Sequence, residues 1–170
     1  DIADEDRCTD CHGNKVKKAR KVLEVFVEPG MKHGSKIVFP GEADAKPGML
    51  PGDMIFVVQE KPHPKFKRQG INLIYQHHIS LREALCGCQF VLEHLDGRKL
   101  LVSTPPGMVI KPGSLKGIRG EGMPIKGNRF DKGVLFIHYV VDMPEPSVLT
   151  PQVRAALSAV LPGGEPVEES

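Results

Sequence analysis

The chain alternates short apolar runs with breaks rich in glycine and proline. Between Lys21 and Glu28, Leu23, Val25 and Val27 share one parity while Glu24 and Glu28 take the other. That period of two predicts a strand with one covered face, ended by Pro29-Gly30. Lys36 to Phe39 predicts a second short strand, closed by Pro40-Gly41. Asp53 to Glu60 is apolar at both parities, which predicts a central strand covered on both sides. Residues 61–70 are basic and turn-rich and read as a hinge between two units. Ile71 to Ile79 is the next strand. Ser80 with Glu83 three residues on forms a capping box, so a short helix starts there and Gly87 stops it. Asp96-Gly97 between the apolar runs 88–95 and 98–102 is a hairpin signal. Gly133 to Val141 predicts a long strand. The last element is a helix: Thr150 caps it, Pro151 holds its first position, and Pro162-Gly163-Gly164 ends it. Val153, Ala156, Leu157, Val160 and Leu161 make an apolar stripe at helical spacing. Three turns are marginal alone in water, so the stripe must pack on something.

The pattern also repeats. Pro29-Gly30-Met31, Gly34-Ser35, Gly41-Glu42 and Gly52 leading a strand recur in the same order as Pro106-Gly107-Met108, Gly113-Ser114, Gly120-Glu121 and Gly133. Two tandem copies of one small β unit are expected. The first copy lacks an opening strand before Lys21, and the chain starts at Asp1 without methionine, so a fragment of a longer protein is expected.

Composition narrows the classes. A chain of 170 residues with 40% hydrophobic and 26% charged residues can bury a core, and a net charge of +2 recruits neither nucleic acid nor membrane by field alone. No apolar run approaches the roughly 20 residues of a membrane-spanning helix. The four cysteines fall in two close pairs, Cys8/Cys11 and Cys86/Cys88, too near for comfortable local disulfides. Reduced thiols, and hence a cytoplasmic or nuclear setting, are expected. Cys8 and Cys11 have the spacing of zinc ligands, but a structural zinc wants four, and His12 is a poor third. His77-His78 and Cys86-Gly-Cys88 read as a pair split between faces and as buried thiols, not as a metal site. No Gly-x-Ser-x-Gly, Walker loop or His-Glu-x-x-His is present, so no enzymatic activity is expected.

The ordered motifs resemble a known family. Cys8-Thr-Asp-Cys11-His-Gly13-Asn-Lys15 is similar to the last cysteine repeat of zinc-bearing (class A) DnaJ co-chaperones. Val27-Glu-Pro-Gly-Met-Lys-His-Gly34, Phe39-Pro-Gly-Glu-Ala-Asp44 and Pro51-Gly-Asp53 resemble the first C-terminal β domain of those proteins. His63-Pro-Lys-Phe66 with Arg68-Gln-Gly70 resembles the junction. Glu83-Ala-Leu-Cys-Gly87, His94-Leu-Asp-Gly97 and Gly120-Glu-Gly-Met-Pro124 resemble the second domain. Cys88 stands where an aromatic residue is usual, and Ile71 where an acidic one is.

The resemblance implies a mainly β protein of two tandem small β-sandwich domains with short helices and a C-terminal helix. It divides the chain into a zinc-module remnant (1–20), a first and incomplete β domain (21–66), a second (67–145) and a dimerisation helix with tail (146–170). It implies client-polypeptide binding, delivery of unfolded proteins to a DnaK-type heat-shock chaperone, and a homodimer. Leu23 and Phe56 match its peptide-pocket positions, although from the residues alone both read as core. Val153, Leu157, Val160 and Leu161 fall at or beside its dimer contact. Cys8 and Cys11 match two of its zinc ligands, the intact protein supplying the rest. Lys15, Lys17, Lys18, Arg20 and Lys21 form a basic cluster that reads as a solvated surface. Two rivals remain: a zinc-ribbon nucleic-acid-binding adaptor using that cluster, and a thiol oxidoreductase built on Cys8 and Cys11.

Overall fold

The computed structural model describes residues 20–164. Its strands are β1 (Lys36–Phe39), β2 (Met54–Val57), β3 (Phe66–Gln69), β4 (Asn72–Ser80), β5 (Gln89–Glu93), β6 (Lys99–Ser103), β7 (Leu115–Ile125) and β8 (Asn128–Asp142). Its helices are α1 (Leu81–Cys86) and α2 (Pro151–Val160). The protein is mainly β, as its punctuation implies. Strands β1 and β2 form one two-stranded sheet, β5 and β6 another, and β3-β4-β8-β7, in that order, a four-stranded sheet.

Two compact units emerge. One comprises the described residues up to Leu73 together with Arg119–Val134; the other comprises Ile74–Ile118 and the described residues from Leu135. The second unit holds a small sandwich. Ile79, Ile137 and Tyr139 from β4 and β8 meet Val102 of β6, Ala84 of α1, Cys88 and Ile110. Ile137 is wholly removed from solvent and Ile79 nearly so. The helix α1 follows its sequence signals. The Ser80 hydroxyl accepts from the Glu83 N–H at 3.2 Å, the Glu83 carboxylate accepts from the Ser80 N–H, and the helix ends at Gly87.

The duplication is visible in hydrogen bonds. In the first copy Gly34 N–H donates to Val58 O (2.7 Å) and Val58 N–H to Ser35 O (2.8 Å). In the second, Gly113 N–H donates to Tyr139 O (2.9 Å) and Tyr139 N–H to Ser114 O (3.0 Å). The Met31 and Met108 amides close the same turn, onto Glu28 O and Pro105 O, each at 3.2 Å. This register makes Phe56 the counterpart of Ile137.

Three expectations need correcting, and one strand was not expected at all. Residues 20–28 form no strand, because among the described residues no strand lies in a ladder with them, and period-two patterning without a ladder partner leaves a strand unformed. Strand β2 is not covered on both sides: among the described residues it pairs with β1 alone, and Ile55 (51%) and Val57 (53%) stay exposed. The hinge 61–70 contains β3, whose Phe66 is buried. Strand β7 has no counterpart among the expected elements, because Gly117, Gly120, Gly122 and Pro124 interrupt its pattern.

Glycine does its work in the first unit by closeness. A Cβ on Gly122 would lie 2.6 Å from Ile71 O, and one on Gly133 would lie 2.1 Å from the same oxygen. The Met123 N–H donates to that oxygen at 2.7 Å, and Asn72 Oδ1 accepts from Val134 N–H at 2.9 Å. Three segments therefore touch backbone to backbone.

Candidate functional site

The site predicted around Phe56 lies on the β1–β2 hairpin. Its register sets Ile37 opposite Phe56, Val38 opposite Ile55 and Phe39 opposite Met54. Ile37, Phe39, Met54 and Phe56 therefore share one half-buried face, where Phe39 and Phe56 meet edge to face with ring centroids 5.7 Å apart. Val38, Ile55 and Val57 share the other face and are exposed. Both ends are pinned. Gly41 N–H donates to Asp53 Oδ1 (3.1 Å) and Ala43 N–H to Gly52 O (3.0 Å) at one end. Glu60 N–H donates to His33 Nδ1 (3.0 Å) near the other. Among the described residues the outer edge of each strand of this two-stranded sheet has no ladder partner, so this hairpin offers main-chain donors and acceptors beside apolar side chains. That combination can take up an extended segment of another chain. Leu23 is also half-buried, on the unpaired stretch 20–28, where Val22 and Phe26 are exposed.

The stripe on α2 is equally open. Thr150 Oγ1 accepts from Val153 N–H at 3.3 Å, as its capping position predicts. No residue of the helix is buried, and Val153, Leu157, Val160 (76%) and Leu161 all face solvent. The packing its stripe requires is not supplied within the described residues.

Cys8 and Cys11 lie outside the described residues, as do Lys15, Lys17 and Lys18. Among the described residues no group of three or more His, Cys, Asp or Glu side chains could hold a metal. Cys86 is exposed, not buried as expected, because it closes the last turn of α1 on the outer side. Cys88 is buried, and its thiol donates to Glu83 Oε2 at 3.4 Å. Burial first, and then that hydrogen bond, push the Cys88 thiol up to about 11, which makes it inert as a nucleophile. The Ser80 backbone N–H holds the Glu83 carboxyl below its usual value. His77 stacks on Phe90 at 3.7 Å, and burial lowers its proton affinity, while His78 pairs with Asp142 at 3.1 Å.

A pH dependence follows. Unfolded His77 takes its proton near pH 6.5 and the folded ring resists it, so stability falls as pH drops below that value. Unfolded Cys88 loses its proton near 9 while the folded thiol keeps it to about 11, so stability also falls as pH rises through that window. Tyr139, raised by burial, adds to the alkaline side. Thermal midpoints measured across pH should plateau between the two limbs. Cys88→Ala should flatten the alkaline limb and leave the acid limb; an unaltered alkaline limb contradicts this account.

Tandem β units, each closed by the same Pro-Gly-Met turn, with an open-edged apolar hairpin in the first, define a duplicated β module that presents strand edge. The chain belongs to the DnaJ C terminal domain family, which matches residues 5–144. It is 56% identical over 159 residues to DnaJ protein homolog 2 of Allium porrum, covering 94% of this chain and 38% of that protein. It is 55% identical over 161 residues to Chaperone protein dnaJ 2 of Arabidopsis thaliana, covering 95% and 38%. It is 49% identical over 148 residues to DnaJ homolog subfamily A member 2 of Homo sapiens, covering 87% and 36%. The chain thus spans well under half the length of the curated relatives it matches. Among the described residues no helix is long and apolar enough to cross a membrane.

Proposed function

We propose that this chain is the client-binding and dimerising part of a DnaJ-type co-chaperone that hands unfolded polypeptides to a DnaK-type heat-shock chaperone in the cytoplasm. The observation that carries the reading is the β1–β2 hairpin, with open edges, apolar side chains on both faces and both ends pinned. An incoming extended segment adds along an edge through sequence-blind main-chain hydrogen bonds, and a large apolar side chain packs beside Phe56, with Leu23 contributing. Residues 21–66 carry this first domain and 67–145 the second. The exposed stripe Val153, Leu157, Val160 and Leu161 supports pairing of two copies. Two arms then hold one client with avidity, because the second contact forms at high effective concentration. Cys8 and Cys11 supply two thiolates to a structural zinc whose other ligands come from elsewhere in the longer protein. The chain works by binding, with no chemistry of its own.

Suppression of aggregation of a guanidine-denatured client tests the reading. Phe56→Asp should raise the chain concentration needed by about tenfold, while Ile55→Lys, on the exposed face, provides a second variant that leaves Phe39–Phe56 intact. Unchanged suppression by both variants, with circular dichroism showing them folded, would falsify the assignment. Sedimentation of the same samples, and of Leu157→Asp, reads the dimer.

A further inference from the structure

The two copies treat the same glycine differently. Gly30 and Gly107 hold the equivalent place in the two Pro-Gly-Met turns, and both take the left-handed backbone, at φ +92° and +80°. Gly107 is exposed, and a Cβ on it would meet nothing within 4 Å. Gly30 is buried, and a Cβ on it would lie 2.5 Å from Pro124 O, 2.6 Å from Lys126 N and 2.9 Å from Ile125 C. The opening turn of the first copy is therefore pressed against the end of β7, a strand of the second copy. The stretch Arg119–Val134, which carries the far ends of β7 and β8, acts as an arm and belongs to the first compact unit.

Arg68 of β3 fastens this contact. Its Nη1 donates to Met31 O at 2.7 Å, its Nη2 lies 3.5 Å from Gly30 O, and its Nε donates to Gly70 O at 2.9 Å. One planar fork of donors thus ties the Pro-Gly-Met turn to the turn at Gly70. The next residue, Ile71, accepts from the Met123 N–H of the arm at 2.7 Å. The fastened turn leads straight into the β1–β2 hairpin. His33 Nδ1, two residues after Met31, accepts from Glu60 N–H at 3.0 Å, and Gly34 N–H donates to Val58 O at 2.7 Å. Two strands of four residues each are marginal as an isolated hairpin, so what anchors their ends decides how well they hold their shape.

We infer that Arg68 and Gly30 are positioning residues for the β1–β2 hairpin: they let the arm of the second copy hold the first copy's hairpin in the shape that receives a client. The inference rests on the client reading of that hairpin. Neither residue touches the client. Arg68 acts by holding the carbonyls of Gly30 and Met31, and Gly30 by leaving room for the arm, so both act on the hairpin through the turn that precedes β1.

The test uses the whole chain, amide hydrogen exchange read by NMR, and fluorescence anisotropy with labelled, reduced and carboxymethylated lactalbumin as a permanently unfolded client. Arg68→Met keeps the stem and removes the donors. It should speed exchange of the Gly34 and Val58 amides by about tenfold and leave the matching Gly113 and Tyr139 amides of the second copy unchanged. Lactalbumin affinity should fall by about tenfold, and Arg68→Lys, which restores a donor, should return it to within about threefold of the unsubstituted chain. Gly30→Ala should reproduce the effects of Arg68→Met. Gly107→Ala, with the same backbone strain but open space, should leave the Gly34 and Val58 amides and the affinity unchanged. Equal acceleration in both copies would mean a general loss of stability and overturns the inference. So does unaltered affinity in Arg68→Met, or no recovery in Arg68→Lys. The two readings fail separately: Phe56→Asp without effect on lactalbumin binding sinks the client reading and the inference with it, whereas weakened binding by Phe56→Asp and none by Arg68→Met sinks the positioning role alone.

Discussion

Gly133→Ala is expected to destabilise the fold by about 3 kcal/mol. The new Cβ would sit 2.1 Å from Ile71 O, 2.7 Å from Ile71 C and 2.8 Å from Asn72 Oδ1. Two of those three are backbone atoms, which cannot rotate away as a side-chain tip can. Relief requires the start of β4 to separate from β8, which breaks the Val134 N–H bond to Asn72 Oδ1 and disturbs the Met123 bond to Ile71 O. The control is built into the repeat. Gly52 leads the corresponding strand of the first copy, and a Cβ there meets only Ala43 Cβ at 3.8 Å. Urea denaturation should therefore show a large drop in midpoint for Gly133→Ala and little for Gly52→Ala. Similar midpoints for the two would mean that the close crossing is not a tight constraint.

Ile137→Ala should cost about 3–4 kcal/mol. Ile137 is fully buried among Ile79, Ala84, Val102 and Tyr139, where a truncated side chain leaves a cavity that strands on both sides hold open. Phe56→Ala, at the equivalent place in the first copy, removes a larger group yet should cost clearly less, because Phe56 is only half-buried on a hairpin whose other face is already wet. Chemical denaturation of the two variants checks the order. If Phe56→Ala proves as costly as Ile137→Ala, Phe56 is core, and its client role is lost. The contrast has a functional meaning under the proposed reading. One copy of the unit spends its central position on stability, and the other leaves it open for a guest.

How much of this was legible in advance varied by the range of the signal. The start and stop of α1 were written in Ser80, Glu83 and Gly87, and those of α2 in Thr150, Pro151 and Pro162, because a cap bonds to neighbours within one turn. Strand β1 was bounded correctly by Pro40-Gly41 for the same reason. The duplication, too, stood in the order of Pro-Gly-Met, Gly-Ser and Gly-Glu, and the hydrogen bonds repeat it.

The chain by itself determined its turns, its helix ends, its twofold repetition and the alternation of its strands, since each depends on residues a few positions apart. Only the tertiary structure decided which strands find partners. It left 20–28 without one, put β3 into a stretch that looked like a hinge, made a strand of the glycine-rich β7, and exposed Ile55 and Val57 where both faces seemed destined for cover. The physical reason is that strand pairing and edge exposure depend on contacts between residues far apart in the chain, which no local pattern encodes.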